Sequence, residues 1–160
     1  MKGFIIVALL FCLFLSLSSE DKGMENSVSQ KVEATLNKIT DTMEQAALES
    51  DHPTILKYYT DDLIIMPNFR EPVRGKNALK ALYAMEKEQN MKYHSFSSQV
   101  EKRWEVDGDI YEYGSFGMSF SFNAVEKPFA YYGSYFQIWE LVEGSYKIKY
   151  AIWNLDHNPL

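Results

Sequence analysis

The stretch Ile110-Tyr111-Glu112-Tyr113-Gly114-Ser115-Phe116-Gly117-Met118-Ser119-Phe120-Ser121-Phe122 changes sides at every residue. Ile110, Glu112, Gly114, Phe116, Met118, Phe120 and Phe122 fall on one face of an extended chain, and Tyr111, Tyr113, Ser115, Gly117, Ser119 and Ser121 fall on the other. That period of two is the signature of a β-strand. Upstream, residues 93–106 repeat it, with Phe96, Ser98, Val100, Lys102, Trp104 and Val106 on one face, and Asp107-Gly108-Asp109 supplies a hairpin turn. Downstream, residues 123–128 lead into a strand over 129–141. Glu143-Gly144 then turns it into a last strand over 146–154.

The front half follows a different period. Val28, Val32, Leu36, Ile39, Met43 and Ala46/Ala47 recur at steps of three and four, the stripe of an amphipathic helix, with Ser27 as its cap and Gln30 completing a capping box. Asp51-His52-Pro53 restarts the chain for a short helix reaching Tyr59, since proline is tolerated in a first turn. Thr60-Asp61-Asp62 reads as a turn and Leu63 to Met66 as a short strand. After Gly75 a third helix covers 77–88 with Ala78, Leu79, Leu82 and Met85 inward. Helices followed by long antiparallel strands make an α+β domain whose helices cover one face of the sheet.

Residues 1–19 carry Lys2 and then an apolar run to Leu17 ending in small serines, the pattern of a secretory signal peptide. The run is too short for a membrane span, which needs about 20 apolar residues. The expectation is a secreted, extracellular chain with no membrane attachment after cleavage. Residues 20–26 form a polar, disordered lead, and one domain occupies 27–157. The only cysteine, Cys12, lies inside the leader, so the mature chain has no disulfide. Net charge is −6, and an acidic surface repels phosphate backbones, which argues against nucleic acid as a partner. Aromatic residues make up 15% of the chain, enough for a large core or a flat-walled pocket.

Several segments together resemble the nuclear transport factor 2-like superfamily, in its SnoaL-like branch. They are Ser50-Asp51 through Met66-Pro67, Val73-Arg74-Gly75-Lys76-Asn77-Ala78-Leu79, Gly108-Asp109 with Tyr113-Gly114, and Gly133-Ser134-Tyr135-Phe136-Gln137-Ile138-Trp139 with Gly144-Ser145-Tyr146-Lys147-Ile148 and Trp153-Asn154. The resemblance implies a strongly curved antiparallel sheet wrapped by three helices around a cone-shaped pocket, and a homodimer formed through the sheet. Two positions depart from the branch. Ala151 stands where an aspartate is common, which weakens any transfer of acid–base chemistry, and Tyr146 replaces a tryptophan.

Enzymes on such a scaffold, ketosteroid isomerase and polyketide cyclases among them, need a base beside an acidic carbon and a donor for the developing oxyanion. Glu112 interrupts an apolar strand face and is the candidate base; the plainer reading puts it at the strand's wet end. The candidate pocket wall is Tyr59, Tyr83, Phe116, Met118, Tyr135, Gln137 and Trp139, with Asn154 near the mouth, although each side chain equally suits ordinary packing. His52, His94 and His157 are too dispersed to make a metal site, and no phosphate loop or nucleophile elbow is present, so no metal or cofactor is expected. Three functions compete: a binder of a small apolar or aromatic molecule, a metal-independent isomerase or lyase using Glu112, and a non-catalytic component of an extracellular matrix or secretion.

Overall fold

The computed structural model describes residues 26–123 and 127–156. The expected leader with its cysteine, all of the expected polar lead except Asn26, residues 124–126 and His157 lie outside the described residues. Four long strands follow the alternating sequence closely: β4 (Lys92–Val106), β5 (Asp109–Ser121), β6 (Phe129–Val142) and β7 (Ser145–Leu155). They are preceded by β1 (Asn26–Ser27), α1 (Gln30–Leu48), α2 (His52–Leu56), β2 (Tyr59–Met66), β3 (Val73–Arg74) and α3 (Lys76–Glu88). All strands join one sheet in the order β1-β4-β5-β6-β7-β2-β3, antiparallel throughout except where β2 runs parallel to β7. Both two-residue turns, Asp107-Gly108 and Glu143-Gly144, have positive φ at each position, the mirror-image geometry that matches strand twist.

Four local expectations are corrected. Asn26 and Ser27 pair with Glu105 and Trp104, so α1 starts later and its cap is Ser29, whose hydroxyl accepts from Val32 N at 3.4 Å. The short α2 is capped as expected, Asp51 accepting from Thr54 N at 3.2 Å, but it ends at Leu56. Tyr59 already pairs with Ile148, and the two aspartates read as a turn occupy an exposed irregularity within β2, between its two paired stretches. In α3 the inward stripe is Leu79, Leu82 and Tyr83, all packed on the core, while Met85 is 54% exposed.

One core joins the layers: Leu36 and Ile39 from α1, Leu63 and Ile65 from β2, Leu79 from α3, and Ile110, Trp139, Ile148 and Ala151 from the long strands. Ala151, where the resemblance implied an aspartate, is therefore a packing residue.

The sheet is bent over this core by identifiable devices. β4 contains two bulges, one between Tyr93 and Ser95 and one between Val100 and Lys102. An extra residue in one strand bends it and reverses the side-chain phase beyond it. On the concave face, a Cβ on Gly114 would lie 2.1 Å from the Gln99 carbonyl oxygen, and one on Gly133 would lie 2.0 Å from that of Asn154. Neighbouring strands thus lean into space that any other residue would fill.

Candidate functional site

The bulge at Val100/Lys102 decides what stands beside Glu112. Strict alternation puts Lys102 and Trp104 on the concave face. With the phase reversed, Arg103 pairs with Glu112 there, and Trp104 moves to the convex face, against Tyr111 and Phe136. Glu112 is fully buried. Its Oε1 accepts from the Tyr135 hydroxyl at 2.9 Å and Gln137 Nε2 at 2.7 Å, and its Oε2 accepts from Arg103 Nε at 2.5 Å and Trp139 Nε1 at 3.2 Å. The strand-end reading of Glu112 is corrected: it lies at the base of the cone.

Arg103 in turn holds α1. Its Nη1 donates to Glu33 Oε2 at 2.7 Å and Asn37 Oδ1 at 2.6 Å, while Nη2, also buried, has no partner among the described residues. Burial opposes the guanidinium charge, but the carboxylates of Glu112 and Glu33 outweigh it and hold the pKa above its ordinary value. Burial, followed by the Glu112 charge and its hydrogen bond, pushes the Tyr135 phenol well up, so it stays a donor. Farther along β4, Ser98 N and Oγ donate to Glu44 Oε1 at 2.7 and 2.6 Å, a second polar tie between helix and sheet.

A carboxylate has about four lone-pair positions. Those of Glu112 meet four donors, which leaves none for a substrate proton. The arrangement suits a fixed charge that pins β4, β5, β6 and α1, and not a general base.

A different environment lies toward the opposite end of β5. Tyr59, Tyr83, Tyr93 and Phe96 pack with Met43 against Ala46, Ala47 and Ile55. Tyr93 contacts Phe96 and Phe120, and Phe120 contacts Phe122, Phe129 and Tyr131, with ring centroids 5.4–6.5 Å apart. Phe129 is 37% exposed, so this aromatic wall reaches solvent. His52 stacks on Tyr83 at 4.4 Å. Burial raises the phenol pKa of Tyr59 to about 12 and pushes those of Tyr83 and Tyr93 up as well.

The sequence-derived residues therefore divide. Glu112, Tyr135, Gln137 and Trp139 form the ionic base; Tyr59 and Tyr83 belong to the aromatic end; Phe116 and Met118 are half-buried on the concave face between them. Asn154 is corrected: it pairs with Ser134 and is exposed on the convex face, because alternation turns Trp153 inward instead. Arg103 is an addition that strict periodicity missed, and Tyr93 and Phe96 join the aromatic end although they were not among the expected wall residues. Two surface grooves, of about 370 and 500 Å³, lie along the helices and include none of these side chains. Among the described residues no cluster of three or more His, Cys, Asp or Glu is placed to hold a metal, and no helix is long and apolar enough to cross a membrane.

No protein-family profile and no curated protein matches this sequence. Solved structures do match it. A ketosteroid isomerase-like protein from Erwinia carotovora atroseptica SCRI1043 superimposes with a TM-score of 0.69 at 14% identity, over 81% of this chain and all of the other. An NTF2-like protein from Cytophaga hutchinsonii ATCC 33406 gives 0.65 at 14% identity over 80% and 99% of the two chains. A putative calcium/calmodulin-dependent kinase II association domain from Exiguobacterium sibiricum 255-15 gives 0.66 at 9% identity over 84% and 98%. The chain has the nuclear transport factor 2-like cone fold, an α+β architecture, as the sequence resemblance implied.

Proposed function

We propose that this protein is a secreted, non-catalytic binding domain that takes an apolar or aromatic small molecule at the aromatic end of the cone and works as a homodimer joined through its sheet. The observation that carries the reading is the saturation of Glu112 by four donors. The deepest acid of the cone is spent on structure, whereas the half-exposed rings around Phe120 and Phe129 remain available to a flat ligand. A neutral fluorescent N-phenylnaphthylamine is expected to bind at micromolar concentration, and Phe129→Ser to weaken it about tenfold, the loss of one stacked ring. A dye that ignores Phe129→Ser, or does not bind, overturns the reading.

The convex face supports the dimer. Tyr113, Tyr132, Tyr150 and Ile152 are 37–61% exposed there and border Trp104, Tyr111 and Phe136. Such an apolar patch on a sheet marks an interaction surface. Ile152→Glu combined with Tyr132→Glu is expected to convert a dimer into a folded monomer in sedimentation. A wild-type monomer at micromolar concentration overturns this part alone.

A further inference from the structure

We propose that the groove between α2 and α3 is a second binding site, which takes an organic anion with an apolar body, such as a long-chain carboxylate or an aryl sulfonate. The site goes beyond the binding reading above, because it uses none of the residues of the aromatic end. The groove has a volume of about 500 Å³ and is lined by Pro53, Leu56, Lys57, Lys76 and Lys80. That volume lies within the range of small-molecule sites. Acidic residues outnumber basic ones in the chain by 22 to 16, yet this lining holds three lysines and no acid.

The lysines stand against their own electrostatics. Lys76 and Lys80 are one turn apart on α3, and like charges at that spacing repel. They open a helix that has no acidic residue in its first turn, where the macrodipole already adds positive charge. Lys57, the residue that ends α2, brings the third ammonium. Asp61 meets Lys76 Nζ at 2.8 Å, but its side chain is 93% exposed and does not line the groove. Its carboxyl is held below the ordinary range by Lys76 first and then by Lys147 and Lys80, so the surroundings stay positive after that pairing. Lys57 and Lys80 are exposed and make no ion pair among the described residues. Pro53, Leu56 and the methylene stems of the lysines supply apolar surface between the charges. An inorganic anion leaves that surface bare, and an acidic peptide sets backbone polar groups against it. An amphiphilic anion satisfies both parts.

The test is fluorescence titration of anilinonaphthalene sulfonate into the full mature chain carrying Phe129→Ser, which weakens the aromatic end. Micromolar binding is expected. Adding Lys57→Gln with Lys80→Gln is expected to weaken it about tenfold, the loss of two surface charge contacts, while the denaturant midpoint of unfolding reports an intact fold. Decanoate is expected to displace the dye at concentrations where inorganic phosphate leaves it bound. In the wild-type background, uncharged N-phenylnaphthylamine is expected to ignore both lysine substitutions. Sulfonate binding that survives those substitutions, or equal displacement by phosphate and decanoate, overturns the proposal. Failure of the sulfonate to bind also overturns it and leaves the aromatic end untouched, whereas failure of the neutral dye alone sinks the binding reading and leaves this site standing.

Discussion

Glu112→Gln is expected to lower the unfolding free energy by about 3 kcal/mol, and Glu112→Ala by about 3–5 kcal/mol. Each leaves the Arg103 guanidinium, 1% exposed in its side chain, with only the half-exposed Glu33 as counter-charge, and the carboxamide additionally turns an N–H group toward existing donors. For a domain whose whole stability is about 5–15 kcal/mol, that is a large fraction. Arg103→Met strands the carboxylate instead and should cost a similar amount. Combining Arg103→Met with Glu112→Leu removes both charges. Glu33 and Asn37 then turn to water from the helix surface, and only the neutral donors of Tyr135, Gln137 and Trp139 lose their acceptor. The double variant should therefore be more stable than either single one, a coupling readable in denaturant unfolding.

The same series separates structure from catalysis. A general base replaced by its isosteric amide loses activity and largely keeps its stability, because the base must leave at least one lone pair open to the substrate proton. A Glu112→Gln protein that unfolds at the wild-type denaturant midpoint would remove the structural role and reopen the isomerase alternative. Ala151 points the same way as the buried pair: it lies between Ile65 and Gln137 on the neighbouring strands, buried and with nothing to titrate.

The long strands were legible because a half-buried strand writes its two faces directly into alternate residues, and 110–122 does so almost without interruption. Strand pairing through two-residue turns was legible for the same local reason, from Asp107-Gly108 and Glu143-Gly144. What alternation cannot carry is a change of phase. Val100, Glu101, Lys102 and Arg103 read equally well in either register, and only the partner strand decides that Arg103 meets Glu112. The central ion pair of the cone was therefore invisible until the bulge was seen. Helix α3 presents a similar ambiguity. Ala78, Leu79, Leu82 and Met85 form an acceptable apolar stripe, yet the stripe that packs contains Tyr83, with Glu86 half-buried beyond it and Ala78 and Met85 exposed. Tyrosine and glutamate look like surface residues to a hydropathy reading, although a polar tip on an apolar body is what a pocket wall requires.

Gly133→Ala is expected to destabilise the protein by about 3 kcal/mol or more, although the substitution adds one methyl group and the backbone there is not in the left-handed region. Its Cβ would stand 2.0 Å from the Asn154 carbonyl oxygen and 2.9 Å from Cε1 of Phe116. The ring can swing aside, but the carbonyl belongs to the ladder between β6 and β7 and moves only if that pairing opens. Gly144→Ala makes the contrast. Gly144 has φ +79°, and nothing lies within 4 Å of an added Cβ, so the cost is that of backbone conformation alone, about 1 kcal/mol. A flat sheet reverses this order, because an alanine in an ordinary strand is harmless while one in the mirror-image turn is strained wherever the strands lie. Comparing the two variants by thermal and denaturant unfolding thus measures the bend itself. A Gly133→Ala protein no less stable than Gly144→Ala would mean that β7 does not lean over β6, and the concave surface holding both Glu112 and the aromatic end would lose its cause.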